Sequence, residues 1–487
     1  MIHLYLSRRA GQESLSEARV TVVVTEPVTP RATSEVPAEI PFASALKVWA
    51  KIGLLSFGGP AGQVALMHKE LVEERKWIDE ERFLHALNYC MLLPGPEAQQ
   101  LAAYIGWLMH KGRGGLAAGL LFVLPGFVSI LVLSMLYAGF RQLAPVAAIF
   151  FGLKAAVLAL VVEAVIRIGK RALKNRLMVM VAALGFIALF CFAVPFPFVV
   201  LSAGAFGFFG SRIAPRFFPE PNKVKTAGAH ETVIDHMAAA GQLAHTKPST
   251  ARALRVLIVS LVLWATPLIA LSLTLGPQSV YLQEGIFFSK AAVVTFGGAY
   301  AVLAYIAQKA VETYGWLQPG EMLDGLGLAE TTPGPLIMVV QFVGFLGAYR
   351  NPGDLPPMLA GVFGSLITVW VTFVPCFLWI FFGAPYIEAL RGNRSLHAAL
   401  SAITAAVVGV ILNLSIWFGM HVVFARVTEH SYGPLHLSVP DPSSIDPAAA
   451  TLAALAMLAM LRFKVGLPKT LIASALLGAA WKLLIDR

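Results

Sequence analysis

The stretch Ser-Phe-Gly-Gly at 56–59 and the Pro-Gly-Pro that follows at 94–96 decide the fold, because both motifs occur twice. Thr-Phe-Gly-Gly at 295–298 and Pro-Gly-Pro at 333–335 repeat them, and 56 and 295, like 94 and 333, differ by 239. The same offset aligns further identical residues, among them Trp77 with Trp316, Lys51 with Lys290 and Glu73 with Glu312. A gap-free register that aligns Gly, Pro and Trp predicts a tandem duplication.

The composition places this duplicated chain in a lipid bilayer. Of its 487 residues, 57% are hydrophobic and 13% are charged, whereas soluble domains carry about 25% charged residues. A net charge of +10 would suit a nucleic-acid binder, but the basic residues lie in short loops between long apolar runs. That distribution marks the cytoplasmic side of polytopic membrane proteins. We therefore predict an all-α polytopic membrane protein without a nucleic-acid partner.

Apolar runs long enough to cross a bilayer, about 20 residues each, recur along the chain. Thirteen candidate transmembrane segments lie at Phe42–Gly59, Phe83–Met109, Gly114–Phe140, Pro145–Ile166, Leu177–Val194, Phe198–Ile213, Ala253–Leu275, Gly285–Ala307, Met322–Ala348, Leu355–Gly383, Ser395–Phe424, Pro447–Leu461 and Gly466–Ile485. Whether 42–59, 83–109 and 322–348 span the membrane or re-enter it is left open.

These segments divide the chain into two repeats and their connections. Residues 1–41 are polar and are predicted to form a disordered cytoplasmic tail, and 42–213 form the first repeat. Residues 214–252, rich in Pro, Lys and His, are predicted to be a cytoplasmic loop. A linking transmembrane helix at 253–275 leads to the second repeat at 276–487.

Positive charge predicts the orientation of each repeat. In the first repeat, the loop 167–176 carries five Lys and Arg residues and is predicted to be cytoplasmic. In the second, the basic loops 385–394 and 462–469 are predicted to be cytoplasmic, and 425–447 between them external. Corresponding loops thus face opposite sides, with the N-terminus cytoplasmic and the C-terminus periplasmic. Such inverted-topology repeats are typical of secondary transporters, in which the two halves exchange conformations during alternating access.

Each Pro-Gly-Pro is predicted to break a helix inside the membrane. Pro94 and Pro96 lack amide donors and Gly95 tolerates unusual backbone angles, so one half-helix ends there and another starts. The N-terminus of a half-helix has free amides and partial positive charge, and its natural ligand is an anion. The same geometry is predicted at 333–335. The alternative is a simple proline kink.

The paired glycines and nearby polar side chains complete the predicted anion site. Glycine pairs permit either close helix packing or exposed backbone amides beside a ligand. Lys51 and Lys290 either bind the anion or extend to the interface, and Thr331 and Thr332 either donate to an oxyanion or cap their helix. The residues predicted to bind the oxyanion are Gly58, Gly59, Pro94, Gly95, Pro96, Gly297, Gly298, Thr331, Thr332, Pro333, Gly334, Pro335, Lys51 and Lys290.

Two carboxylates in the membrane are candidates for proton coupling. Glu97 directly follows the first Pro-Gly-Pro, and Glu330 precedes the second by three residues. A carboxylate beside a helix N-terminus would compete with an anionic substrate unless it were protonated. Asp324 and His85 are candidate proton relays. The alternative for Glu97 is a helix cap in the first turn.

The motifs do not indicate an enzyme. The sequence contains neither a Walker A motif, nor a dinucleotide fingerprint, nor a zinc-ligand spacing, and its three cysteines are scattered through apolar runs. We therefore predict no cofactor, no metal site and no ATP-driven pumping by this chain.

Several motifs resemble the chromate ion transporter family, long-chain two-domain type. Phe-Gly-Gly-Pro-Ala-Gly-Gln at 57–63, Glu-Arg-Lys-Trp at 74–77 and Leu-Pro-Gly-Pro-Glu-Ala-Gln-Gln at 93–100 carry the resemblance in the first repeat. Thr-Phe-Gly-Gly-Ala-Tyr at 295–300 and Glu-Thr-Thr-Pro-Gly-Pro at 330–335 carry it in the second. The resemblance covers both repeats and leaves out the N-terminal tail.

The resemblance implies a secondary active transporter that exports chromate from the cytoplasm across the bacterial inner membrane. It also implies that the proton-motive force drives export, that export confers chromate resistance, and that sulfate is the structural analogue of the substrate. The residues themselves leave open a carrier for sulfate or another tetrahedral oxyanion, and an anion channel. The lack of cofactor motifs argues against a membrane-embedded chromate reductase. Whether the chain works as a homodimer is left open.

Overall fold

The polypeptide folds mainly into helices, as its composition predicts. The structure, a computed structural model, describes residues 40–57, 59–91, 93–218, 232–296, 299–386, 394–433 and 435–484, all within one compact unit, Ala38–Arg487. The predicted tail, 1–41, lies outside the described residues except for its last two. The predicted site residues Gly58, Gly297 and Gly298 also lie outside them.

The helices of the first repeat include a long one with a kink. They are α1 (Phe42–Leu55), α2 (Gly59–His68), α3 (Glu80–Cys90), α4 (Glu97–Phe140), α5 (Ala144–Ala172), α6 (Arg176–Phe190) and α7 (Phe196–Ile213). Asp79 and Asn175 set the starts of α3 and α6, because their side chains accept hydrogen bonds from first-turn amides. Helix α4 is kinked at His110 and Lys111, which have non-helical backbone angles.

The rest of the chain is also mainly helical. Its helices are α8 (Val233–Ala239), α9 (Thr250–Leu275), α10 (Val280–Val294), α11 (Ala299–Gln308), α12 (Glu321–Thr331), α13 (Val339–Arg350), α14 (Pro357–Gly383), α15 (Arg394–Val423), α16 (Pro447–Met457) and α17 (Leu467–Leu484). A 3₁₀ turn, Leu336–Met338, leads into α13.

A β-hairpin departs from the predicted all-α architecture. Strands β1 (Val427–Tyr432) and β2 (Leu435–Pro440) pair antiparallel within the loop 425–447. Gly433 lies between them with a φ of 61°, a conformation that glycine adopts without steric cost and that a tight turn requires. The helix pattern of the flanking sequence did not extend to this short polar segment.

Among the described residues, six helices are long and apolar enough to cross a membrane: Glu97–Phe140, Ala144–Ala172, Phe196–Ile213, Thr250–Leu275, Pro357–Tyr386 and Arg394–Val423. Helix α9 contains no buried residue, and its Leu273 is 81% exposed. Exposed apolar faces of this extent suit contact with lipid. The chain is therefore a multi-pass membrane protein, while thirteen spans and the inverted orientation of the repeats stay predictions.

Two of the predicted segments are interrupted at equivalent places. Helix α1 ends at Leu55 and α10 ends at Val294, which differ by 239. The candidate segment Gly285–Ala307 is divided into α10 and α11. The division lies at the Phe-Gly-Gly motif, where paired glycines weaken helix continuation. The helix is likewise broken at both Pro-Gly-Pro motifs. Helix α3 ends before 94–96 and α4 starts directly after it, whereas α12 ends before 333–335 and the 3₁₀ turn that leads into α13 starts directly after it.

The same local conformation occurs in both repeats. π-Helical turns form at Lys69–Glu74 and Lys309–Thr313. After each turn, the N–H of a tryptophan, Trp77 or Trp316, donates to the carbonyl six residues earlier, at 2.7 and 2.8 Å. Both tryptophans are buried. Residues that are 239 positions apart in the sequence therefore also share their local backbone conformation here.

Part of the predicted cytoplasmic loop 214–252 is helical instead. It contains α8 and a 3₁₀ turn at Gln242–Thr246. Thr232 and Asp235 form a capping box, in which each side chain accepts from the backbone N–H of the other. This cap stabilises a short helix that carries no long apolar pattern. Residues 219–231 of the predicted loop lie outside the described residues.

Candidate functional site

Reciprocal hydrogen bonds join each Pro-Gly-Pro turn to the opposite repeat. The N–H of Gly95 donates to the carbonyl of Thr295 at 2.8 Å, and the N–H of Gly334 donates to the carbonyl of Ser56 at 3.0 Å. Gly95 and Gly334 are equivalent at the 239-residue offset, and so are Ser56 and Thr295. Exchanging the repeats therefore maps one bond onto the other. These four residues are called the crossing below.

Glycine is required at both turns of the crossing. Gly95 has a φ of +127° and Gly334 a φ of +101°, which residues with a Cβ rarely adopt. A Cβ at Gly95 would lie 2.8 Å from Nε2 of Gln100 and 2.9 Å from Sγ of Cys376. A Cβ at Gly334 would lie 3.1 Å from Cα of Gly126. The backbone angle and the lack of space for a side chain therefore both require glycine at these two positions.

A small cavity lies between the starts of the two half-helices and is called the central cavity below. It is lined by Pro60, Gln63, Pro96, Glu97 and Ala98 from the first repeat and by Ala299, Pro335, Leu336 and Ile337 from the second. Neither Pro96 nor Pro335 can cap the helix that follows it, so the first-turn amides lack a side-chain acceptor. The cavity volume of about 10 Å³ has room for about one water molecule. A tetrahedral oxyanion does not fit this conformation.

Gln63 braces the crossing across the two repeats. Its Nε2 donates to the carbonyl of Gly334 at 2.6 Å and to that of Ser56 at 3.3 Å. The equivalent residue of the second repeat is Val302, which has no side-chain donor, so the brace acts on one turn. Sequence reasoning missed Gln63 as a site residue. Its signal was an amide side chain on an otherwise apolar helix, inside the motif at 57–63.

Both predicted proton-coupling carboxylates lie near the crossing. Glu97 opens α4 and lines the central cavity. Glu330 is 7% exposed, and Oη of Tyr300 donates to its Oε1 at 2.6 Å. A Cβ at Gly59 would lie 3.8 Å from Oε2 of Glu330, so this carboxylate reaches the glycine motif of the first repeat. The sequence did not indicate Tyr300 as its partner.

The two candidate relays occupy equivalent positions, since 85 and 324 differ by 239. Asp324 accepts a hydrogen bond from Oη of Tyr137 at 2.7 Å, and Nζ of Lys154 lies 3.6 Å from the same carboxylate. Asp324 and Glu330 are six positions apart on α12, about 9 Å along a helix. Asp324 therefore belongs to a separate polar cluster, and the structure does not bring it to the crossing.

Among the described residues, the predicted threonines and lysines form no hydrogen bond with the four residues of the crossing. The Thr331 hydroxyl donates to carbonyls of its own helix at 3.0 and 2.9 Å, and Thr332 does so at 3.2 Å. Nζ of Lys51 lies 2.5 Å from Oε1 of Glu70. Lys290 is exposed on α10. In this conformation the threonines cap their helix, and contact of any of these residues with an anion stays a prediction.

A larger cavity, called the outer cavity below, opens where α4 and α13 end. It has a volume of about 460 Å³ and is lined by Tyr137, Ala138, Arg141, Gln142, Gln318, Leu346, Tyr349 and Arg350. Glu321 is fully buried beside it, and its carboxylate accepts two hydrogen bonds of 2.7 Å from Arg350 and one from Arg141. Two guanidinium groups share one carboxylate here, which leaves the wall of the cavity positive.

Comparison with known proteins agrees with the repeated architecture. The family model described as Chromate transporter matches twice, at residues 43–208 and 282–479, and the two matches start 239 residues apart. A chromate transport protein of Pseudomonas aeruginosa is 34% identical over 410 residues, covering 82% of this chain and 85% of that protein. A chromate transport protein of Cupriavidus metallidurans is 28% identical, covering 74% of this chain and 78% of that protein. No solved structure matches.

Proposed function

The chain belongs to the chromate transporter family, and on that premise we propose that it is a secondary active transporter of chromate. It exports chromate from the cytoplasm across the bacterial inner membrane, driven by the proton-motive force, and thereby confers chromate resistance. Its N-terminus is cytoplasmic and its C-terminus periplasmic, with two repeats of inverted orientation. The family is one of transporters, and this function requires no catalytic residue.

The arrangement of the two helix starts beside the crossing is the single observation that supports an oxyanion substrate most directly. Two helix starts without side-chain caps converge on the central cavity, and free first-turn amides bind anions. A divalent tetrahedral oxyanion offers four acceptor oxygens to the two sets of amides. Gly58, Gly59, Gly297 and Gly298 would add backbone amides, and Thr331, Thr332, Lys51 and Lys290 would add side-chain donors once the helices move.

The size of the central cavity favours a carrier over an anion channel. A cavity that holds about one water molecule must open before an oxyanion binds. Opening it toward one side at a time is the definition of alternating access. Protonation of Glu97 and Glu330 would remove two negative charges from the path of the anion, so these carboxylates are the proposed proton-coupling groups at the site.

Uptake of labelled chromate into inverted membrane vesicles tests the proposal. We expect saturable uptake that requires a proton gradient, that is competed by unlabelled chromate, and that is absent from vesicles without the protein. If uptake of labelled sulfate saturates and unlabelled chromate does not compete with it, the substrate is sulfate. Ohmic conductance without saturation would instead identify an anion channel and overturn the carrier.

A further inference from the structure

One buried carboxylate takes no part in the site described above. Glu284 on α10 is 0% exposed, and among the described residues neither of its carboxylate oxygens has a side-chain partner; the backbone N–H of Ala348 faces the carboxylate without forming a hydrogen bond of ordinary geometry. Burying an unpaired carboxylate costs several kcal/mol, so such a group either takes up a proton or is absent from an apolar interior. Ionisable residues inside membrane segments are rare and mostly functional. Glu284 therefore requires an explanation beyond packing.

Two glycines of neighbouring helices make room for this carboxylate. A Cβ at Gly347 on α13 would lie 2.6 Å from Oε1 of Glu284, and a Cβ at Gly364 on α14 would lie 2.9 Å from Oε2. The ring of Trp316 lies against the same side of Gly347, 2.9 Å from that Cβ position. Any larger residue at either glycine would displace the carboxyl group. The space between α10, α13 and α14 is thus shaped around Glu284.

The first repeat carries no carboxylate at the position that corresponds to Glu284. At the 239-residue offset, Glu284 on α10 corresponds to Ala45 on α1, which is 1% exposed. A buried apolar residue therefore serves at the same place of the duplicated helix, and the fold of the repeat does not by itself require a carboxylate there.

No cation neutralises Glu284 among the described residues. The ionisable groups on the adjoining parts of α10 and α13, apart from Glu284, are Tyr281, Lys290, Tyr349 and Arg350. The two tyrosines supply no positive charge, Lys290 is exposed, and Arg350 is bound to Glu321. Helix α14 carries no charged side chain, and α9 carries arginines only in its first two turns. Protonation is the remaining way to avoid a buried charge.

Glu284 contacts a helix that lines the outer cavity, and its own helix leads to the crossing. Leu346 and Arg350 line the outer cavity, and Gly347 lies between them on the same helix. On the other side, α10 runs from Glu284 to Thr295, whose carbonyl accepts from Gly95. These eleven residues of helix correspond to about 16 Å. Moving α10 away from α13 and α14 would thus open Glu284 to the outer cavity and displace one bond of the crossing together.

We propose that Glu284 is a proton-binding site that couples proton movement to transport, an inference that rests on the proposed function. Glu284 holds a proton while α10 lies against the two glycines. It releases that proton to water of the outer cavity when α10 separates from them, and the separated helix no longer holds Gly95. One movement of α10 then changes both proton binding at Glu284 and the hydrogen bond between Gly95 and Thr295 in the crossing.

The variant Glu284→Gln in proteoliposomes tests this coupling, because glutamine keeps the shape of the protonated acid and cannot ionise. We expect chromate counterflow at equal pH to be retained and accumulation driven by a pH gradient to be lost. The variant Glu284→Ala, which carries the residue of the first repeat at the equivalent position, should behave in the same way. Glu284→Asp, which can still ionise, should retain gradient-driven accumulation.

An infrared spectrum gives a readout that does not depend on chromate. The wild-type protein should show a protonated carboxyl band that is missing from Glu284→Gln. Gradient-driven accumulation at the wild-type level in Glu284→Gln would overturn the proposal, and so would loss of counterflow in both the Gln variant and the Ala variant. A wild-type protein without chromate counterflow would overturn the proposed substrate instead, and the infrared band would still report on Glu284.

Discussion

Gly95 and Gly334 each combine a positive φ with a neighbour at close range, so neither position accepts a side chain. We expect Gly95→Ala and Gly334→Ala each to abolish protection from chromate, because a Cβ costs about 1–3 kcal/mol in such a backbone region and pushes the turn off its partner. Growth in chromate measures the effect, with membrane insertion checked by immunoblot.

Gly419→Ala is the matched control for these two variants. Gly419 lies within α15, and a Cβ there would meet only a side-chain carbon of Leu158 at 3.9 Å, an ordinary contact distance. Gly419→Ala should therefore protect as well as the wild type. Wild-type protection by both turn variants would contradict a site built on the crossing.

Substitution of Glu321 is also expected to be costly, since this residue is fully buried and binds two guanidinium groups. We expect Glu321→Gln to lower the free energy of unfolding by about 2 kcal/mol, less than the roughly 3–5 kcal/mol of a fully buried pair. The discount reflects Arg141 and Arg350, which are 30% and 27% exposed. Thermal unfolding in detergent measures the change.

The exposed pair of Arg426 and Asp441 provides the comparison for Glu321. Arg426 is 70% exposed, and ion pairs on surfaces contribute little. Asp441→Asn should therefore leave the thermal midpoint nearly unchanged. Equal midpoints for Glu321→Gln and the wild type would show that the two arginines need no partner beside the outer cavity.

At the scale of elements, α8 has a location that explains its presence in a predicted loop. Backbone N–H groups of Val233 and Ile234 donate to the carbonyls of Lys76 and Trp77, each at 3.2 Å. The ring of His245 in the following 3₁₀ turn lies 4.9 Å from that of Trp107. The segment 232–246 is therefore held against the first repeat at Lys76, Trp77 and Trp107.

The attachment of α8 depends on an ionised Asp235. Burial opposes ionisation, but hydrogen bonds from Thr232 and the charge of Arg82 outweigh it and hold the pKa of Asp235 below its ordinary value. The stabilisation is therefore present above the unfolded pKa of about 3.9 and is lost as the pH falls through the lower folded value. At neutral pH, Asp235→Asn should imitate that loss.

Hydrogen exchange over residues 233–239 measures the attachment. Faster exchange is expected there in Asp235→Asn than in the wild type, with the hairpin and α5 unchanged. Exchange at the wild-type rate would mean that the apolar contacts of Val233 and Ile234 suffice to hold α8.

The elements also show what the sequence could and could not predict. The helix breaks at 94–96 and 333–335 follow from Pro and Gly themselves, so local chemistry suffices to predict them. Helix α8 is short and is held by contacts with residues more than a hundred positions away, so its sequence carried no such signal. Gln63 is similar, because its partner Gly334 is 271 residues distant. Long-range partners were predictable only where the duplication repeated a motif.

At the scale of the whole molecule, the crossing makes the two repeats interdependent. A chain cut between residues 218 and 232, with both pieces coexpressed, should give fragments that purify together through a tag on one of them. Each fragment alone lacks the carbonyl that its own Pro-Gly-Pro turn requires. Separate purification of two stable fragments would contradict this dependence. The same experiment with Gly334→Ala in the second fragment should weaken the association.

The reciprocal bonds of the crossing also bear on how the sequences of the two repeats could diverge after duplication. Both bonds join main-chain atoms, so, apart from the two glycines that the turns require, they survive changes of the surrounding side chains. The first copy carries Glu97 where the second has Leu336, and the second carries Glu330 where the first has Met91. Because the two reciprocal bonds are backbone bonds, each repeat could acquire its own acid while the symmetry of those bonds persisted.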